Sequence, residues 1–176
     1  MERKNILTVS QIVNLLFYKT DEITRMEVIS PELLREGKRI HSRFGFDNAE
    51  LYRRFIFHPK TKEWWLILGC PDRVEQKEGK VIELKTYSNE RFPSKLKEIG
   101  KIQAMLYCWL TGFPKWELWG YSSYKNKVEK EEEGEYNEKY ITETILKAIE
   151  LKSLLQEFKK EYEKKLKENN KNKETK

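Results

Sequence analysis

The sequence predicts a mixed α/β fold, a β-sheet flanked by helices, and three observations point to it. The middle of the chain holds short runs rich in Val, Ile, Trp, Phe and Tyr, broken by turn residues. The flanking segments space their apolar residues three and four apart, as helices do. The order is then helices, a three-stranded meander, a buried helix, a further strand and a final helix.

Each element has its own signal. Thr8 to Tyr18 reads as a short helix capped by Ser10, with Ile12, Val13, Leu15 and Leu16 on its apolar side. Ser30-Pro31 supplies an N-cap and a first-turn proline for a second helix carrying Leu33, Leu34, Gly37, Ile40, His41 and Phe44. From Leu51 the period shifts to that of strands: Arg53–His58, a turn at Pro59-Lys60-Thr61-Lys62, then Glu63–Leu68. This second strand is read as continuing through Gly69-Cys70-Pro71 into Asp72–Gln76. Glu78-Gly79 is the expected hairpin turn, and Lys80–Tyr87 the third strand.

Pro93-Ser94 opens a helix that Gly112 closes, apolar nearly all round in its second half and therefore buried. Lys115–Tyr124 is expected to be a strand and Glu129–Glu135 an exposed acidic loop. Glu138–Lys167 has the pattern of a long amphipathic helix, and residues 169–176 that of a disordered basic tail. The chain thus reads as one domain over residues 1–168.

Composition narrows the function. The chain has 176 residues, 38% hydrophobic and 36% charged, with no apolar run approaching the roughly 18 residues that span a bilayer. With no export signal at Met1-Glu2-Arg3-Lys4, a cytoplasmic protein is expected. Cys70 and Cys108 are too few for a disulfide framework or a four-thiolate metal site and read as small buried hydrophobes. Of the net charge of +6, residues 159–176 carry +4 (eight Lys, four Glu). The body is nearly balanced, so overall charge alone does not identify a partner.

The chemistry concentrates around the second hairpin. Strand residues two apart share a face, so Glu83 and Lys85 point the same way. Two-residue loops at Lys77-Glu78 or Glu78-Gly79 both place Asp72 on that face; a three-residue loop would put it opposite Leu84. Two carboxylates at cross-strand separation can share a hard divalent cation, which prefers oxygen ligands and keeps several waters. The alternative is an Asp–Lys–Glu ion-pair ladder on a solvated face. Apolar Trp64–Leu68, Val81 and Ile82 argue that these strands are central, where charged residues need a reason.

Pro71-Asp72, ten intervening residues and Glu83-Leu84-Lys85 resemble the signature of the PD-(D/E)XK nuclease superfamily. Gln103-Ala104-Met105-Leu106-Tyr107 resembles the Gln-x-x-x-Tyr motif of its RecB-like branch, and Gly37-Lys38-Arg39-Ile40-His41 the Gly-x-x-x-His motif. The resemblance implies a restriction-endonuclease-like fold. It also implies a metal site of His41, Asp72, Glu83 and the Leu84 carbonyl, holding Mg²⁺ or Mn²⁺, with Lys85 as the catalytic lysine. Gln103 and Tyr107 would contact DNA or support the active site. Apart from the resemblance, Arg73 is one of several scattered arginines that could bind phosphate near the site, as they also occur on any soluble surface. Similar small stand-alone exonucleases, including CRISPR-associated ones, often hold an iron–sulfur cluster on four cysteines. Neither Ile6–Tyr18 nor Trp119–Lys176 contains Cys, so no cluster is expected.

Independently of the resemblance, Gly37 and His41 share one helical face, where a side chain at 37 would crowd the imidazole. Gln103, on a helix apolar all round, needs partners. Trp64, Trp65, Trp116 and Trp119 can stack on single-stranded bases or pack in the core. Taken together with the resemblance, which alone implies DNA rather than RNA and exonuclease rather than endonuclease action, the reading is a metal-dependent deoxyribonuclease of exonuclease type, acting on single strands or duplex ends. Its rivals are a structure-selective endonuclease and an inactive DNA-binding scaffold; a protein partner on the helix Glu138–Lys167 is a further expectation.

Overall fold

A computed structural model of the chain describes residues 5–18, 31–46 and 50–174. Helix α1 (Val9–Phe17) follows a short strand β1 (Ile6–Thr8), absent from the sequence expectation. Its cap is Thr8 rather than Ser10. The Thr8 hydroxyl accepts from the Gln11 backbone N–H while the Gln11 side chain accepts from that of Thr8, a reciprocal pair that Ser10 is too far along to make. Helix α2 (Pro31–Arg43) begins at the expected proline; Ser30 lies outside the described residues.

The expected mixed α/β architecture is present, as two mixed sheets flanked by helices rather than one. Strands β2 (Tyr52–His58) and β3 (Glu63–Gly69) are antiparallel, and β1 pairs parallel to β3. The other sheet holds β4 (Arg73–Glu75), β5 (Lys80–Tyr87), β6 (Lys115–Ser122) and β7 (Lys127–Glu135) in that order. Helix α3 (Ser94–Thr111) connects β5 to its parallel neighbour β6. Gly112 ends that helix with φ 79°, a left-handed turn natural to glycine.

The strand expected to run from Glu63 to Gln76 is broken at Gly69-Cys70-Pro71, and the two sheets part there. A Cβ on Gly69 would lie 2.7 Å from Tyr107 Cε1 and 2.8 Å from Val9 Cγ2, so β3 comes against α3 and α1 only as glycine. The break also changes which side chains face α3. Trp65 and Ile67 face it in β3, whereas Val74, paired with Val81, does so in β4. An extra residue at a strand kink re-aims the side chains beyond it, and the first of these is Asp72.

Glu129–Glu135, expected as a loop, lies in β7, an edge strand paired with β6. Its carboxylates are drawn to α3, where Lys101 Nζ lies 2.6 Å from Glu132, and Glu131 is accommodated as a bulge opposite Leu118 and Trp119. A charged edge also discourages pairing with other chains. Strand β6 ends at Ser122, short of Tyr124. Helix α4 (Glu138–Glu174) passes Lys167 into the segment read as a disordered tail.

The main core gathers α1, α3 and the first turns of α4 on one side of the sheets, with Leu106, Leu118, Ile141, Ile145 and Ile149 fully buried. A smaller core on the other face of β5 and β6 joins Ile82, Leu84 and Tyr121 to Phe46 and Ile40. Of the two cysteines, Cys108 is buried as expected and Cys70 is exposed, since alternation from Leu68 sets it on the outward side of the sheet. Among the described residues no helix is long and apolar enough to cross a membrane.

Candidate active site

Asp72, Glu83, Lys85, Gln103, Tyr107 and His41 converge where the two sheets part. The register Arg73↔Ile82, Val74↔Val81, Glu75↔Lys80, continued by one residue, sets Asp72 opposite Glu83. This is the register of a two-residue loop, although the connection is longer: a 3-10 turn at Gln76–Glu78 closed by Gly79 at φ 59°. Parity is therefore as the spacing predicted.

Asp72 is held from two directions. Its Oδ2 accepts the Leu84 backbone N–H at 2.8 Å, and its Oδ1 lies 3.2 Å from His41 Nδ1. Helix α2 carries His41 to this point because Ile40 and Phe44 pack over Ile82 and Leu84. Gly37 has a different significance from the one expected. A Cβ there would meet nothing within 4 Å among the described residues, so the imidazole is not crowded from that position.

Glu83 is 1% exposed. Its Oε1 accepts from Lys85 Nζ at 2.6 Å, while its Oε2 is buried beside Asp72 and accepts from no donor among the described residues. Burial pushes its pKa well up and the Asp72 carboxylate adds to this, against the opposing pull of the Lys85 ammonium. Lys85 Nζ also donates to Gln103 Oε1 at 2.7 Å, and Gln103 Nε2 donates to Tyr107 Oη at 3.2 Å. The two motif residues on α3 thus form a chain that fixes the lysine. Tyr107 is only 5% exposed, and burial, with Glu83 nearby, raises its pKa.

Gly100 was not read from the sequence as part of this arrangement. A Cβ there would lie 2.6 Å from Leu118 Cδ1 and 3.1 Å from Lys85 Cγ. Its absence lets α3 descend until Gln103, three residues on, reaches the lysine. The available signal was a small residue inside a buried helix, where glycine is otherwise unfavourable by about 1 kcal/mol.

Arg73 is not gathered into the site. It alternates with Asp72, so it faces the other way and pairs with Glu75 at 2.8 Å. His58 is buried away from the site: it is 1% exposed, and its Nδ1 accepts from the Thr61 backbone N–H at 3.1 Å.

Among the described residues, no group of three His, Cys, Asp or Glu forms a ready metal cage. The contacts are pairwise, His41 with Asp72 and Asp72 beside Glu83. The donor chemistry nevertheless fits a hard divalent cation. Two adjacent carboxylates, one with a buried and unpaired oxygen, are what such an ion relieves, and it needs few protein ligands because it keeps its waters.

No family model and no curated protein matches this chain. Among solved structures, it is similar to the crystal structure of SSO0001, with a TM-score of 0.61 at 22% identity over 86% of this chain and 78% of the other. That likeness shows the fold. An alkaline exonuclease (LHK-Exo) from Laribacter hongkongensis aligns at 15% identity with a TM-score of 0.49, over 92% of this chain and 95% of that one. Its complex with dAMP aligns at 15% identity and 0.48 over the same shares.

Proposed function

We propose that the protein is a metal-dependent deoxyribonuclease that hydrolyses phosphodiester bonds from strand ends. The observation that carries this reading is the unpaired, buried Glu83 Oε2 beside Asp72, with Lys85 pinned at Glu83 by Gln103. A structural ion pair in a sheet would have its lone pairs satisfied. This one leaves an oxygen acceptor open next to a second carboxylate.

Asp72, Glu83, His41 and the Leu84 carbonyl would hold Mg²⁺ or Mn²⁺, which lowers the pKa of a bound water and offsets charge on a phosphate. Leu84 N–H and His41 orient the Asp72 carboxylate. Lys85 presents a fixed ammonium to the charge that develops on the phosphoryl oxygens, and needs no reorganisation because Gln103 and Glu83 already hold it. Tyr107 orients Gln103 in turn. Arg73 has no part in this, since it faces away.

Linear and circular DNA, single- and double-stranded, incubated with Mg²⁺, Mn²⁺ or EDTA, tests the proposal. Metal-dependent loss of linear substrate, abolished by Glu83→Ala and by Lys85→Ala, is the expected result. Cutting of circular DNA would favour the endonuclease, and metal-independent binding without cutting would favour the inactive scaffold. Cutting that survives both substitutions would place the chemistry elsewhere.

A further inference from the structure

The sheet of β1, β3 and β2 buries one face against α1 and α3 and leaves aromatic rings on the other. Phe55, Phe57 and Trp64 are 52%, 43% and 61% exposed. The register pairs Phe57 with Trp64 and Phe55 with Leu66, so these side chains share the outward face, and the Phe57 and Trp64 rings lie 5.4 Å apart, tilted at 57°. Large aromatics clustered in water mark an interaction surface rather than ordinary exposure.

We infer that this face is a stacking platform for single-stranded DNA. The inference rests on the nuclease reading above and adds where its substrate strand lies. Charge supports it. Arg53, on the same face opposite Leu68, is exposed, as is Lys62 in the hairpin turn. Neither makes an ion pair among the described residues, and no carboxylate occupies an outward position on β2 or β3 alongside the rings. Aromatic faces interleaved with unpaired cations suit a strand with charged phosphates and unpaired bases.

The test is binding of labelled oligothymidylate, followed by fluorescence anisotropy in EDTA so that nothing is cut, for wild type, Phe57→Ala, Trp64→Ala and Trp64→Phe. Both alanine variants are expected to lose at least tenfold in affinity for the single strand. Trp64→Phe should retain most of it, and a blunt duplex of equal length should be affected less than threefold. The rings are exposed, so folding should survive, and circular dichroism checks it. Unchanged affinity in both alanine variants overturns the inference. So does an altered sedimentation coefficient with unaltered DNA affinity, which would make the face a contact between copies. A wild type that binds in this ring-dependent manner but cuts nothing with Mn²⁺ would overturn the nuclease reading alone.

Discussion

Glu83 and Glu117 sit on neighbouring strands of one sheet, both almost wholly buried, and their surroundings treat them in opposite ways. Glu117 is satisfied at each oxygen. Oε2 accepts the Trp119 indole N–H at 2.7 Å, and Oε1 lies 3.0 Å from Lys80 and 3.7 Å from Lys130. Burial pushes its pKa up, but the Trp119 hydrogen bond and the Lys80 ammonium outweigh that, and the net shift is down. Glu83 has one oxygen on Lys85, while the other meets no donor among the described residues and faces the Asp72 carboxylate. The pair separates two settings of a buried carboxylate: Glu117 has partners at both oxygens, whereas Glu83 keeps one oxygen open among the described residues, the feature on which the proposed metal site rests.

The largest expected effect is on catalysis. Glu83→Gln keeps the shape and removes the charge, and Lys85→Ala removes the ammonium that the transition state would meet. Each should lower cleavage of linear DNA by about 10²-fold or more, since a preorganised electrostatic group commonly contributes that much. Glu117→Gln should stay within about threefold of wild type in the same gel assay. Equal losses at both positions would erase the distinction.

Stability should move with opposite signs. A carboxylate with a raised folded pKa, such as Glu83, stabilises the fold fully only below its unfolded pKa, and that contribution is lost as pH rises through the folded value. In EDTA at pH 8–9, Glu83→Gln should therefore melt higher than wild type. Glu117, with a lowered pKa, stabilises above the unfolded pKa and loses this as pH falls. Glu117→Gln should melt lower at pH 7, by about 1–3 kcal/mol, with the gap closing toward pH 3. Mg²⁺ should raise the melting temperature of wild type and leave Glu83→Gln unmoved. Thermal melts across pH, with and without metal, decide all three.

Two glycines sharpen the comparison at the backbone. Gly100→Ala puts a methyl group 2.6 Å from Leu118 Cδ1 and 3.1 Å from Lys85 Cγ, so α3 must lift and the Gln103–Lys85 bond lengthen. A stability loss of about 1–3 kcal/mol is expected. Activity should fall roughly tenfold, the order that misplacing a catalytic group can reach. Gly37→Ala, in open space on α2, should instead gain about 0.5–1 kcal/mol from helix propensity with activity kept. Chemical denaturation and initial rates measure both.

How much of this was legible depends on the range of the forces involved. Alternation along Lys80–Tyr87 shows in a single strand, so the shared face of Glu83 and Lys85 could be read directly, and Asp72 followed from turn parity. Helix α3 announced itself by apolar residues all round and by Gly112. Strand β7 did not, because Glu-rich segments have little intrinsic preference for strands, and the lysines that draw in Glu132 come from α3, some thirty residues away. Gly69 and Gly100 were silent for a similar reason. Their need is set by Tyr107, Val9, Leu118 and Lys85, contacts that exist only after folding.

Arg73 offers the smallest effect and a check on parity itself. Its neighbour Asp72 is turned into the site, so alternation turns Arg73 out, where it meets Glu75 at 2.8 Å with its side chain 43% exposed. Exposed pairs contribute little, so Arg73→Ala should change stability by no more than about 0.5 kcal/mol. It should leave the rate of DNA cleavage within about threefold of wild type at moderate salt. Its effect should also be additive with that of Gly100→Ala, since the two side chains share no partner. A tenfold loss in Arg73→Ala would mean that phosphate binds on the far side of β4, and the face assigned to Asp72 and Glu83 would have to be redrawn.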